Sequence, residues 1–246
     1  MPSRDAPRRR SLIAAAALAM SAQFATASLL LDDATDQRAY LTANGLLNRG
    51  LYDLAAAEYR AFLDQNPNHE KVPLARYGLG VALFRGGDRA GALEQLQQAP
   101  ADPSFEFAAE TALLTGHCHL TLGDPGQAAQ AFERVLERHG EHPSAPDAAA
   151  LLVEAQQRAG RHEEAIAAAD ELVRRWPDAP MRARAELFKG LAQLARNKPA
   201  DAAPTFRSII ERTPDADVTP NARLLYAQSL HRDGQLDAAA AAYRET

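Results

Sequence analysis

Leu79-Gly80-Val81-Ala82-Leu83-Phe84-Arg85-Gly86-Gly87-Asp88-Arg89-Ala90-Gly91-Ala92 decides the fold. Leu79, Ala82 and Leu83-Phe84 keep the spacing of one helix face, Gly87 interrupts it, and a second helical run carries Ala92. Glycine enters the left-handed backbone region at no steric cost, so Gly87 reads as the turn between two antiparallel helices. The phrase recurs. Ala55, Ala92, Ala128, Ala165, Ala202 and Ala239 follow one another at 37, 36, 37, 37 and 37 residues. Five residues before each stands Gly50, Gly87, Gly123, Gly160, Asn197 or Gly234, the two residue types that best accept a left-handed turn. Four residues after each stands Tyr59, Leu96, Phe132, Ala169, Phe206 or Tyr243, and Pro67, Pro177 and Pro214 close three of the units.

The columns in phase predict an all-α chain of about six helix-turn-helix repeats over residues 36–246. Two further columns are small: Ala43, Gly80, Gly116, Val153, Gly190 and Ala227, and then Gly45, Ala82, Cys118, Ala155, Ala192 and Ser229. Small side chains let helix axes approach, so both columns are expected where each first helix presses on a neighbour. Pro125 is expected to open a second helix, where its missing N–H costs nothing. Pro204 implies that its helix begins late, with Asp201 as cap.

Leu79-Gly80, Leu83-Phe84, Gly87-Asp88 and Ala92 resemble the tetratricopeptide (TPR) signature. The resemblance implies a right-handed α-solenoid whose first helices line a concave side. The 36–37-residue period, with Tyr59-Arg60-Ala61-Phe62-Leu63 before Asn66-Pro67, is similar to an envelope subgroup that includes the TolA-binding coordinator proteins and the BamD-like assembly lipoproteins. The lipoprotein cysteine and an N-terminal coiled coil of those families are missing. By the repeat alignment the concave side carries Tyr40, Asn44, Asn48, Tyr77, Phe84, Arg85, Glu110, His117, Glu154, Arg158, Arg184, Gln228, His231 and Arg232. Such a face suits an extended or helical peptide; the alternative is that Tyr40, Tyr77 and Phe84 only pack between helices. Chaperone-binding TPR domains hold a terminal carboxylate with a lysine one turn before an asparagine, and here Tyr40 occupies the lysine place before Asn44.

The N-terminus has the three parts of an export signal over residues 1–27: basic Arg8-Arg9-Arg10, the apolar run Leu12 to Ala22, and Ala25-Thr26-Ala27 for the peptidase. Cleavage before Ser28 is expected, with 28–35 as a leader to the repeats and a periplasmic or secreted product. The general export route is expected, and Arg9-Arg10 is also compatible with the twin-arginine route; retention as an uncleaved anchor is the alternative. Removing 1–27 takes four arginines and one aspartate from 27 basic and 32 acidic residues, so the formal charge goes from −5 to −8. That sign gives no footprint for nucleic acid. Past residue 31 no stretch is apolar and long enough to span a membrane.

No catalytic or cofactor site is expected. Gly78-Leu79-Gly80 lacks the third glycine and the preceding strand of a dinucleotide fingerprint. His117, Cys118 and His119 are consecutive, and helical neighbours point about 100° apart, so no metal site is expected from them. His162-Glu163-Glu164 has no second histidine four residues on. The sequence therefore reads as a protein-binding scaffold or adaptor without enzymatic activity. The alternative is a recruiting or regulatory TPR segment of a larger exported enzyme or envelope-assembly complex. The sixth unit stops at Thr246, a few residues past Tyr243, so Leu225 and Tyr243 are expected on an open end. Continuation of the chain, fraying, or cover by a partner or a second copy would each satisfy that end.

Overall fold

The turn column determines how the chain reverses. In the computed structural model, which describes residues 37–246, Gly50, Gly87, Gly123, Gly160 and Gly234 all have positive φ, from 75° to 98°. Asn197 is the one non-glycine residue of positive φ among the described residues, at 56°. Except after Gly87, the N–H that follows the turn residue reaches back to satisfy a late helical carbonyl: Leu51 to Leu46 at 3.0 Å, Asp124 to His119 at 2.8 Å, Arg161 to Gln156 at 2.9 Å, Lys198 to Gln193 at 2.9 Å, and Gln235 to Leu230 at 3.0 Å. This is the Schellman closure, which a left-handed residue makes available.

The described residues form twelve α-helices and no strand, in two compact units. The first unit ends at Gly86 and holds α1 (37–48), α2 (Tyr52–Gln65) and α3 (Val72–Gly86). The second begins at Gly87 and holds α4 (Arg89–Gln98), α5 (Ala108–Leu122), α6 (Pro125–Arg138), α7 (Ala145–Arg158), α8 (His162–Arg175), α9 (Arg182–Ala195), α10 (Pro199–Arg212), α11 (Thr219–Arg232) and α12 (Leu236–Arg244). None is long and apolar enough to cross a membrane. The expected export signal 1–27 and leader 28–35 lie outside the described residues. Helices α2, α8 and α10 each stop one residue before the C-caps Asn66, Trp176 and Thr213. Pro67, Pro177 and Pro214 follow these caps and hold them off the helical region, with ψ between 55° and 71°.

Within the second unit each helix packs on the next, and first helices also meet across repeats, as α7 does α9. The core is a chain of small clusters. Leu120, Phe132 and Val135 meet Leu151, Leu152 and Ala155, and then Ala165, Ala169 and Leu172 meet Ala185 and Ala192. The first small column faces its own repeat's second helix: a Cβ on Gly116 would lie 2.8 Å from Cδ1 and Cζ of Phe132, and one on Gly190 would lie 2.5 Å from Phe206 Cζ. Where that aromatic is replaced by Ala169, the facing residue is Val153 instead of glycine, and both belong to one cluster. Volume is thus conserved pair by pair, as close packing requires.

Two expectations need correction. Gly45 does not sit in a tight contact; it is exposed, with nothing within 4 Å of its Cβ direction. Its column faces the second helix of the preceding repeat, as Ala155 and Ala192 do. Among the described residues no such helix precedes α1. The helix holding Pro204 does not begin late either. It starts at Pro199, whose fixed φ suits a first helical position, and Pro204 lies inside it. The carbonyl that Pro204 leaves without a donor belongs to Ala200, and both residues are exposed, so water can satisfy it. At the other end, Leu225 is half-buried, Leu236 and Tyr243 are exposed, and Ala239 is the single buried residue of α12.

Candidate functional site

In the first unit Tyr40 and Asn44, expected on the concave side, are drawn into packing. Tyr40 is half-buried, with ring centroids 6.3 Å from Tyr59 and 5.8 Å from Phe62, and the Lys71 ammonium lies 5.5 Å over its face. The Tyr59 hydroxyl donates to Asn44 Oδ1. That ring fits because Gly78 has no Cβ; one there would lie 2.6 Å from the hydroxyl oxygen. Burial, and then the neighbouring Tyr40 and Tyr77, hold the Tyr59 hydroxyl above the usual tyrosine range, so it stays a donor. Tyr77 and Phe84 are half-buried, while Arg85 and Asn48 are exposed.

In the second unit three of the expected residues, Glu154, Arg158 and Arg184, converge. Glu154 on α7 is buried, at 1% side-chain exposure, with an arginine beside each carboxylate oxygen. Arg158, one turn on, places Nη2 2.6 Å from Oε1. Arg184 on α9 donates from Nε at 2.8 Å and approaches with Nη2 at 2.7 Å, both to Oε2. Two arginines on one carboxylate leave the cluster with a net positive charge. Both guanidiniums remain about half exposed, at 48% and 45%, so they are fixed in place while still facing solvent. Arg158 also lies 5.8 Å from the Phe188 ring centroid. Phe188 was missed by sequence reasoning, although it stands one turn after Arg184 and so shares its face.

His117 holds the place of Glu154 one repeat earlier and meets Phe132 edge-on, with centroids 6.1 Å apart. Burial, followed by the charges of Arg184 and Arg89, depresses its pKa; Glu154 and Asp147 oppose the shift. The imidazole therefore senses Arg184 of the cluster. Of the other expected site residues, Glu110 lies 3.5 Å from His142, and Gln228 is half-buried. His231 is exposed, and Arg232 turns away to the α9–α10 turn, 3.4 Å from the Leu194 carbonyl and 3.3 Å from Asn197 Oδ1. Cys118 is fully buried, and burial pushes its thiol up to about 11. Among the described residues no three His, Cys, Asp or Glu side chains are placed to hold a metal ion.

His117 and His119 both titrate below the ordinary histidine value, chiefly because burial disfavours the imidazolium. The unfolded chain takes up these protons near pH 6.5, where the folded chain still refuses them. Stability should therefore be complete above about pH 6.5 and fall as the pH drops from there toward 5. Thermal melts of His117→Gln across this window should show a shallower acid slope than the wild type. An unchanged slope would mean that His117 is not desolvated in the folded protein.

The family profile described as tetratricopeptide repeat matches residues 40–104, 113–180, 151–217 and 187–246. Among solved structures, the chain is similar to a tetratricopeptide repeat protein from Parabacteroides merdae, with TM-score 0.66 and 15% identity over 85% of this chain and 78% of that one. It is also similar to YrrB, described as a TPR protein with an unusual peptide-binding site, with TM-score 0.63 and 17% identity over 75% and 90% of the two chains. A third likeness is to MamA, with TM-score 0.62 and 21% identity over 72% and 91%. At such identities these likenesses speak for the fold. Comparison with curated protein sequences gives no significant match. The profile, by contrast, recognises the repeats themselves through most of the chain, and by that match this protein belongs to the tetratricopeptide repeat family.

Proposed function

We propose that this chain is an exported adaptor that holds an extended segment of a partner protein on the first-helix face of its second unit, and that it catalyses no reaction. The observation that carries the reading is the Glu154-Arg158-Arg184 cluster: a buried carboxylate fixes two half-exposed guanidiniums, which orients cationic donors without sealing them. Arginine held in this way forms short, directional bonds to an incoming carboxylate or carbonyl. Phe188 beside Arg158 adds an apolar contact of the kind that peptide segments use as anchors. The tripartite N-terminus supports export, and the phrase Tyr59-Arg60-Ala61-Phe62-Leu63 before Asn66-Pro67 supports kinship with envelope TPR proteins.

A photoreactive amino acid at Leu191, which occupies the Glu154 place one repeat later, tests the surface. In the native host it should crosslink a protein partner, and the exposed control site Glu164 on α8 should not. Arg158→Gln with Arg184→Gln should abolish the product. An acidic occupant would also raise the His117 pKa by neutralising Arg184, which NMR titration of its ring protons can follow. Equal crosslinking from both sites would defeat the assignment. N-terminal sequencing should show mature protein starting at Ser28, and retained Met1 would defeat the export reading.

A further inference from the structure

The second helices α2, α6, α8 and α10 are each 14 residues long, whereas α4 has 10. Its missing turn has a cause in the sequence. Four residues after the aromatic column stand Leu136, Val173 and Ile210, each packed against the cluster at its own repeat boundary. In the repeat of α4 that place is Pro100, and Ala99 before it is extended, with ψ of 152°. The chain leaves the helix there, and a cleft of about 360 Å³ opens between α4, α5 and α6.

The cleft has an apolar wall of Leu96, Ala108 and Ala112. Thr111, on the same stretch of α5, is more than nine-tenths buried, and its hydroxyl has no partner. The opposite side carries Arg134 and Arg138, one turn apart on α6, with His139 after them. No carboxylate lines this cleft, and neither arginine forms an ion pair within 4 Å among the described residues. Like charges at this spacing repel, so the arrangement costs stability unless something answers it. Corresponding clefts answer it internally. The one between α8, α9 and α10 contains Lys189 with Asp170 at 2.5 Å and Arg182 with Glu186 at 2.9 Å. The one between α10, α11 and α12 contains Arg207 with Glu211 at 2.6 Å.

We infer that the cleft between α4, α5 and α6 receives an acidic side chain from an extended segment of a protein partner. Its carboxylate sits between Arg134 and Arg138 and accepts from the Thr111 hydroxyl, and its methylene stem or the next apolar side chain lies on Leu96 and Ala112. The local positive charge stands out in a chain whose formal total is −5, which makes charge complementarity the basis of selection. The site involves none of the residues of the Arg158–Arg184 cluster, so either assignment can fail alone.

The test uses the full chain with labelled threonine, alanine and leucine methyl groups and three probes: the capped peptide acetyl-Ala-Glu-Leu-Glu-Ala-amide, its Gln-for-Glu analogue, and free glutarate. The acidic peptide should shift the methyl signals of Thr111, Ala112 and Leu96, and the Gln analogue should not. Arg134→Gln with Arg138→Gln should weaken binding by about tenfold or more, the scale of losing a charge-assisted pair, with the circular dichroism spectrum unchanged. Thr111→Val should weaken it less, and Arg174→Gln, at an exposed position on α8, should leave it intact. Equal shifts from the Gln analogue, or unweakened binding to the folded double variant, would overturn the site. Glutarate binding as tightly as the peptide would overturn the peptide assignment in favour of a small dicarboxylate.

Discussion

Gly116→Leu is expected to lower the melting temperature by roughly 10 °C. Close packing leaves no slack for the first added atom, since its Cβ would already lie 2.8 Å from two Phe132 ring atoms. Phe132 is fully buried and held by Leu120, Val135 and Leu151, so it cannot swing away. Overpacking of this kind costs about 3 kcal/mol, the upper part of its usual range, and each kcal/mol is worth about 2–4 °C in a chain of this size. Gly190→Leu should behave alike against Phe206, while Glu137→Gln, on an exposed position, should stay within about 0.5 kcal/mol. The Val153–Ala169 pairing supplies a sharper control. Gly116→Val alone should destabilise strongly, and Gly116→Val with Phe132→Ala should recover part of the loss, because it rebuilds the pairing already used one repeat later. Equal tolerance at Gly116, Gly190 and Glu137 would mean that the repeat register is wrong.

What could be read from sequence was whatever repeats. A left-handed turn tolerates few residue types, and a tight helix contact tolerates only small ones, so Gly123, Asn197, Gly116 and Ala192 disclose their positions by identity and spacing. What could not be read depends on a single repeat's neighbours. Gly45 has its column's identity, but among the described residues no helix precedes α1 to bury it. Pro204 looks like a breaker until the exposure of Ala200 shows that water can reach the turn it leaves unbonded. Tyr40 and Asn44 sit on the concave register, but a large Tyr59 opposite Gly78 draws them into an aromatic cluster. The α4 cleft had a visible trace in Pro100 and the 36-residue step, yet its unneutralised arginines emerge only when their distances to every carboxylate are known. The site residues themselves were placed on one face by periodicity. Their grouping around Glu154 is a fact of side-chain reach, for which spacing alone offers no signal.

Arg184→Glu is the most direct probe of that grouping, and its expected signature lies in the pH dependence. At pH 7 the substitution brings a second carboxylate to the oxygen that Arg184 now holds at 2.7–2.8 Å, while Glu154 is buried. Breaking a buried pair costs about 3–5 kcal/mol. Arg158 still holds the other oxygen and Arg184 is 45% exposed, so a loss of about 2 kcal/mol is expected. Two carboxylates in one site force one of them to titrate above its usual range. A carboxyl whose folded pKa is raised favours folding at low pH and loses that contribution as the pH rises through the raised value. The variant should therefore recover stability, relative to wild type, between pH 7 and 5, over the range in which His117 and His119 make the wild type weaker. Glu154→Gln in the Arg184→Glu background should remove most of the pH-dependent part, because the amide cannot repel the new carboxylate. A variant as stable as wild type at pH 7, with parallel melts down to pH 5, would show that Glu154 and Arg184 are not paired in solution, and the proposed binding surface would lose the feature that orients it.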